Sequence, residues 1–402
     1  MRMPGFTKSG LDRMHGVLSG YVGRQEIPGL VMLVSHNDDL HIDTIGAQAF
    51  GESRPMKRDT LFRIASITKP ITAVAAMILV EESKLRLDEP VDEWLPELAS
   101  RRVLRSIDSQ LDDTVPAVRS ITLRDLMSYR MGFGSVMAMP DTHPIQKSIR
   151  ELQIGGDGPP RPLDTPPPDE WLRRLGTLPL MFQPGERWLY NVSADVLGVL
   201  IARVSGQTLG EFMRERIFDP LGMKDTRFHV LPDDTERLPP MYFRDHQTGR
   251  LEAFDRGGGD SWFATAPPFE SGAGGLVSTV DDYYSFCRMM LNKGQHGRDQ
   301  IISHASVDLM TSDQLLPEHR QGAELFFGDH TSWGFGMAVA TRRNQIYQTP
   351  GRFGWDGGYG TSAYTDPAEN LIGILFTQRM MDSPQPPKHF VDFWTQAYAA
   401  MT

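Results

Sequence analysis

A chain of 402 residues is too long for one simple core, and long enough for two domains or for one domain with a large insertion. A formal net charge of -10 opposes a nucleic-acid surface and attraction to anionic membranes, while 40% hydrophobic and 23% charged residues is the balance of an ordinary globular protein. The lone cysteine, Cys287, excludes an intramolecular disulfide framework and suits a reducing compartment.

Residues 1–7 lack an apolar run followed by a small-residue cleavage site, so no signal peptide is expected and the expected location is cytoplasmic. No stretch reaches the length of a membrane helix. Residues 8–25 set Leu11, Met14, Leu18, Tyr21 and Val22 at helical spacing, and Ile27-Pro28 breaks the pattern. Residues 29–35 read as a buried strand, Asn37-Asp38-Asp39 as a turn and residues 40–45 as the returning strand of a hairpin. The chain then reaches Arg63-Ile64-Ala65-Ser66-Ile67-Thr68-Lys69-Pro70, followed by an uncharged run to Val80. A helix that is apolar on every side is a buried helix, and Pro70 is tolerated in its first turn.

Residues 85–91 form a loop into Trp94-Leu95-Pro96. Thr122 and Asp125 have the spacing of a capping pair, which predicts a short helix ending at Arg130-Met131-Gly132. Residues 154–170 are dense in Pro and Gly and read as a long surface loop. Helices are expected over 192–204 and 209–217, a Gly-rich stretch over 254–276, and a helix capped by Thr279 running to Leu291. Short strands follow over 334–340, 362–365 and 371–377, and a last helix over 387–400. Strands near both ends and helices in the middle predict one sheet built from both termini with a mostly helical region inserted, at boundaries 1–85, 86–276 and 277–402.

Ser66 therefore sits near the N-terminus of a buried helix, with Lys69 three residues on along the same face. A serine hydroxyl is a weak nucleophile until a base takes its proton, and a desolvated lysine one turn away can do this or help another base to do it. The helix N-terminus adds N–H groups and partial positive charge suited to an oxyanion. No other lysine in the chain has serine three residues before it. Two further stretches can face Ser66. Gln183-Pro184-Gly185-Glu186 leads to Tyr190 at a loop-to-helix junction, where a phenolate stabilised by cations would act as a base. Gly354-Trp355-Asp356-Gly357-Gly358-Tyr359-Gly360 has the glycines that let a ligand approach a strand edge and could present a second oxyanion donor. There is no G-x-S-x-G elbow, no H-E-x-x-H, no Cys-rich zinc pattern and no G-x-x-x-x-G-K-[ST] loop, so neither metal nor cofactor is expected.

The order S-x-x-K early, a tyrosine after P-G-E midway and a glycine-rich strand edge late resembles the serine β-lactamase and penicillin-binding-protein superfamily, on its class C side. Leu61-Phe62-Arg63-Ile64-Ala65-Ser66, Ile121 to Leu126, Pro220 to Thr226 and Gly274 to Thr279 share the likeness, which covers roughly residues 10 to 400. The resemblance implies an α+β, β-lactamase-like fold: an antiparallel sheet flanked by helices beside a mostly helical region. It also implies that Ser66 is acylated, that Lys69 eases its deprotonation, that Tyr190 relays the proton, and that the N–H groups of Ser66 and Gly358 form an oxyanion hole. Two departures narrow the subfamily. Val192 stands where class C lactamases have the Asn of Tyr-x-Asn, and Trp355-Asp356-Gly357 stands where they have Lys-Thr-Gly. Trp-x-Gly resembles the family VIII carboxylesterases, and replaces the cation that would bind a β-lactam carboxylate by an apolar ring.

The expectation is a serine esterase of short-chain esters, with Trp355, Asp356, Gly357 and Tyr359 in the pocket and a small-molecule ester as its partner. The alternatives are a class C-like β-lactamase or D-amino-acid peptidase with Arg352 or Arg379 replacing the lysine, an acyltransferase, and a catalytically idle sensor. Trp262, Phe263 and Phe269 are further candidates for pocket lining.

Overall fold

The computed structural model describes residues 5–155, 161–245 and 247–402. Its main sheet has seven strands: β1 (Gly29–His36), β2 (Asp39–Gly46), β3 (Thr331–Trp333), β4 (Ala338–Ala340), β5 (Phe353–Gly357), β6 (Thr361–Asp366) and β7 (Leu371–Thr377). All neighbours are antiparallel, in the order β3-β4-β5-β6-β7-β1-β2. The N-terminal hairpin is stitched onto the last strand, with Leu30 opposite Thr377 and His36 opposite Leu371. Asn37 and Asp38 both take positive φ (52° and 64°), the two-residue turn whose twist suits a hairpin.

The helices that place the site are α1 (Lys8–Gly23), α2 (Thr68–Glu81), α3 (Leu123–Met127), α4 (Val192–Ser205), α5 (Val280–Leu291) and α6 (Lys388–Ala400). β1 is buried along its whole length because both sheet faces are covered. Leu30, Met32 and Val34 pack with Met14 and Leu18 of α1 and Phe393 and Trp394 of α6. Val31 and Leu33 face the other way, into the cluster that holds α2, α4 and α5. At the centre of that cluster every residue from Thr68 to Leu79 is buried. Each aliphatic side chain of the size of Ile71 or Leu79 contributes about 1.5–3 kcal/mol on burial, so packing fixes α2 firmly beneath the site.

Several elements differ from their sequence expectation. Ser66 lies in a tight turn, Ala65–Ile67, and α2 begins only at Thr68. Residues 353–357 are themselves a strand, with Phe353 and Trp355 turned into the core, and the strand expected over 334–340 pairs only at Ala338–Ala340. The helices Pro144–Glu151 and Pro168–Thr177 form where neither was expected, each with proline in its first turn. Of the loop expected over 154–170, residues 156–160 lie outside the described residues. The helix from Leu209 shifts to a wider π turn at Arg214–Phe218 and stops at Gly222. Among the described residues no single helix is long and apolar enough to cross a membrane; the one bent pair that is apolar enough together, Val192–Ser205 with Leu209–Leu221, breaks by 79°.

Candidate active site

Ser66 is half-buried at the N-terminal end of α2. Ala65 just before it has φ 47°, a left-handed conformation that costs a side-chain-bearing residue roughly 1–3 kcal/mol. The turn is clamped from the sheet side, where Thr361 Oγ1 donates to the Ile64 carbonyl at 2.9 Å. Gly357 makes this approach possible, because a Cβ there would fall 2.4 Å from that same carbonyl oxygen. From the other side Leu276 and Val277 lie along the turn: Ile64 N–H donates to Leu276 O at 3.0 Å, and Leu276 N–H to Thr68 Oγ1 at 3.3 Å.

Lys69 is 1% exposed, and its ammonium donates to Ser66 Oγ at 3.0 Å and to the Ala273 carbonyl at 2.5 Å. Its Nζ stands 4.5 Å from the centre of the Tyr190 ring. Burial pulls its pKa down to about 7, against an upward pull from Asp195.

Tyr190 comes from the loop before α4, and the chain enters that helix through Asn191 at φ 79° and ψ -66°. Asn191 makes no side-chain cap bond. Tyr190 shares a hydrogen bond with Ser66, and its phenol oxygen accepts the Trp355 indole N–H at 2.8 Å. Burial raises the phenol to about 12 although both hydrogen bonds pull it down. At neutral pH Tyr190 is a phenol. Burial therefore disfavours the phenolate that the sequence reading invoked as a base.

The Trp355-to-Tyr359 segment divides. Trp355 faces the site, at a right angle to Trp333 (4.8 Å between centres) and stacked with Phe326 at 6.3 Å. Strand alternation turns Asp356 to the opposite sheet face, where it accepts from Ser362 Oγ at 2.5 Å beside Tyr364; it does not reach the pocket. Gly357 is the contact with the Ser66 turn described above. Nothing lies within 4 Å of where a Gly358 Cβ would be, and its carbonyl accepts from Met381 N–H at 2.9 Å. Tyr359 is buried behind the turn, in a cluster with Ala65, Val230 and Phe263. Phe263 is buried there too, Phe269 packs on Trp171 at 5.0 Å, and Trp262 meets Phe254 at 5.2 Å.

Neither arginine considered as a substitute cation is placed for that role. Arg352 lies over the Tyr364 and Trp394 rings at 3.8 and 4.1 Å, on the α6 side of the sheet. Arg379 is bound to Asp382 at 2.7 Å and to the Met380 carbonyl.

Two residues of the site were not singled out from the sequence. Phe326 stands 5.1 Å from the Tyr190 ring and belongs to a short turn of helix, Glu324–Phe327, with no sequence signature. Asp195, in the first turn of α4, accepts from Ser271 Oγ at 2.6 Å and from Ala273 N–H at 3.1 Å. The acidic first-turn position was its only signal. A hydroxyl, an amine of lowered pKa and a phenol in mutual contact on a clamped turn are the parts that acyl transfer needs.

The chain matches the family model named Beta-lactamase over residues 14–391. It is 36% identical over 377 residues to an uncharacterized Mycobacterium tuberculosis protein, covering 91% of this chain and 87% of that one. It is 31% identical over 353 residues to the lovastatin esterase of Penicillium rubens, covering 82% of each. Among solved structures, EstCE1, described as a hydrolase with promiscuous acyltransferase activity, shares the fold at a TM-score of 0.80 and 24% identity, over 97% of this chain and 99% of that one.

Proposed function

The chain belongs to the beta-lactamase family as a serine hydrolase or acyltransferase, and on that premise we propose that it hydrolyses short-chain, uncharged carboxylic esters through an acyl-enzyme on Ser66. The observation that carries this reading is Trp355. An apolar ring stands where a carboxylate-binding cation would be needed for β-lactams, its one N–H is taken by Tyr190, and Arg352 and Arg379 are engaged elsewhere.

In this reading Ser66 Oγ attacks the ester carbonyl carbon while its proton passes to Lys69 Nζ, 3.0 Å away. A lysine held near neutrality by burial is the better acceptor, since Tyr190 already carries its proton. The carbonyl oxygen takes up the charge beside the N–H groups of Ser66 and Gly358. The C–O bond of the ester then breaks, and the alcohol leaves with a proton delivered through Tyr190 and replaced from Lys69. Water repeats the sequence in reverse and frees the acid. An alcohol acceptor would use the same groups, which is the acyltransferase alternative.

The test is a pair of steady-state rates, on p-nitrophenyl butyrate and on a chromogenic cephalosporin. Ester turnover lost in Ser66→Ala, with little lactam turnover, supports the esterase. Dominant lactam turnover contradicts it. A transesterified product formed when a short alcohol is added would assign the transferase reading.

A further inference from the structure

Asp195 takes no part in the reaction just described, yet its bonds lead to Lys69. It follows Tyr190 by five residues, in the first turn of α4. One oxygen, Oδ1, accepts both Ser271 Oγ at 2.6 Å and Ala273 N–H at 3.1 Å. The loop so held returns two carbonyls to α2: Gly272 O accepts from Thr72 Oγ1 at 2.8 Å, and Ala273 O accepts from Lys69 Nζ at 2.5 Å. Ala273 is thus fixed on both sides, its N–H on Asp195 and its carbonyl on Lys69. Gly272 leaves no slack, because a Cβ there would lie 2.5 Å from the Ala194 carbonyl and 3.0 Å from Thr72 Cγ2.

We propose that Asp195 is a positioning residue for Lys69, holding the Ala273 carbonyl that aims the amine at Ser66 and standing as the carboxyl neighbour of that buried amine. A neutral amine has two N–H groups and one lone pair. Directing an N–H at Ala273 O turns the lone pair toward the Ser66 hydroxyl, and a shift of that carbonyl misdirects it. The groups facing Lys69 are Tyr190, whose ring it covers, and Asp195, with Tyr129 packed against Tyr190 at 6.5 Å. Asp195 is the acidic member of this set: burial raises its own pKa, against the downward pull of Ser271 Oγ, Ala273 N–H and Lys69. Its field raises the lysine pKa while burial lowers it.

The inference rests on the reading of Ser66, Lys69 and Tyr190 given above. Its test uses p-nitrophenyl butyrate with Asp195→Asn, Asp195→Ala, Ser271→Ala and Ser66→Ala, each checked for folding by circular dichroism and thermal unfolding. Asp195→Asn keeps an acceptor but loses the charge, so Lys69 loses an upward pull, and the acid limb of kcat/KM moves to lower pH by about half a unit or more. Asp195→Ala releases the loop and lowers kcat by about ten- to a hundredfold with KM held within about twofold, and Ser271→Ala gives a smaller loss. Folded Asp195 variants with wild-type kcat and an unmoved limb overturn the proposal, as does a lowered Tm with an unchanged profile. If Asp195→Ala does not fold, Asp195→Asn decides. Loss of turnover in Ser66→Ala beside normal Asp195 variants sinks this inference alone, whereas turnover retained by Ser66→Ala sinks the underlying reading.

Discussion

The indole N–H of Trp355 donates to the phenol oxygen of Tyr190 at 2.8 Å. One residue therefore does two things. Its ring forms part of an apolar wall with Trp333 and Phe326, and its N–H steadies the tyrosine that shares a hydrogen bond with Ser66. Trp355→Phe keeps most of the ring and removes the bond. One neutral hydrogen bond is worth about 0.5–1.5 kcal/mol net, so kcat on p-nitrophenyl butyrate is expected to fall about two- to tenfold. An unchanged kcat in the folded variant would reduce Trp355 to wall packing.

The lysine sets the pH dependence. Lys69 must be neutral to accept the Ser66 proton, and burial holds its pKa at about 7. Below that pH it is charged and cannot act as a base, so kcat/KM is expected to fall as pH drops through about 7. Tyr190 is needed as a phenol and is held at about 12, so no basic limb from it is expected below pH 10. A pH–rate profile whose acid limb lies near the ordinary lysine value would contradict the assignment.

Gly357 is a packing requirement of the nucleophile turn. A methyl group there meets Ile64 O at 2.4 Å and Thr361 Oγ1 at 2.1 Å, contacts that cannot be kept. Gly357→Ala is expected to cost about 1–3 kcal/mol of stability, read as a lower Tm. The displaced turn should also cost more than about a hundredfold in kcat/KM. Full activity in this variant would mean that the turn tolerates movement.

Phe326 tests the wall. It packs at a tilt against Tyr190 at 5.1 Å and stacks on Trp355 at 6.3 Å, with no hydrogen-bonding group of its own. Phe326→Ala is expected to raise KM for p-nitrophenyl butyrate about two- to tenfold, with kcat changed less. A loss confined to kcat would instead give Phe326 a part in holding Tyr190.

Legibility in the sequence followed the source of each constraint. The Ser66–Lys69 pair was readable because the unbroken apolar run marked the buried helix that carries Lys69, although Ser66 itself lies in the turn that leads into it. The terminal strands were readable because β1 and β7 are apolar on both faces, and their pairing joins the two ends of the chain. Asp356 was misplaced into the pocket because proximity to Trp355 in sequence hides the alternation of β5, which became evident only once Phe353 and Trp355 were seen to share the inner face. Asp195 and Phe326 escaped notice for another reason. Their partners, Ser271, Ala273 and Trp355, lie 29 to 78 residues away, and no local pattern records such contacts. The burial that raises the Tyr190 phenol pKa comes from long-range packing, which no local pattern records.

If Ser66 carries the acyl group, the intact mass of the protein after reaction with a fluorophosphonate, followed by peptide mapping, will show it. One adduct per chain is expected, on the peptide containing Ser66, and none in Ser66→Ala. An adduct elsewhere, or no adduct on a folded protein that still hydrolyses p-nitrophenyl butyrate, would contradict it.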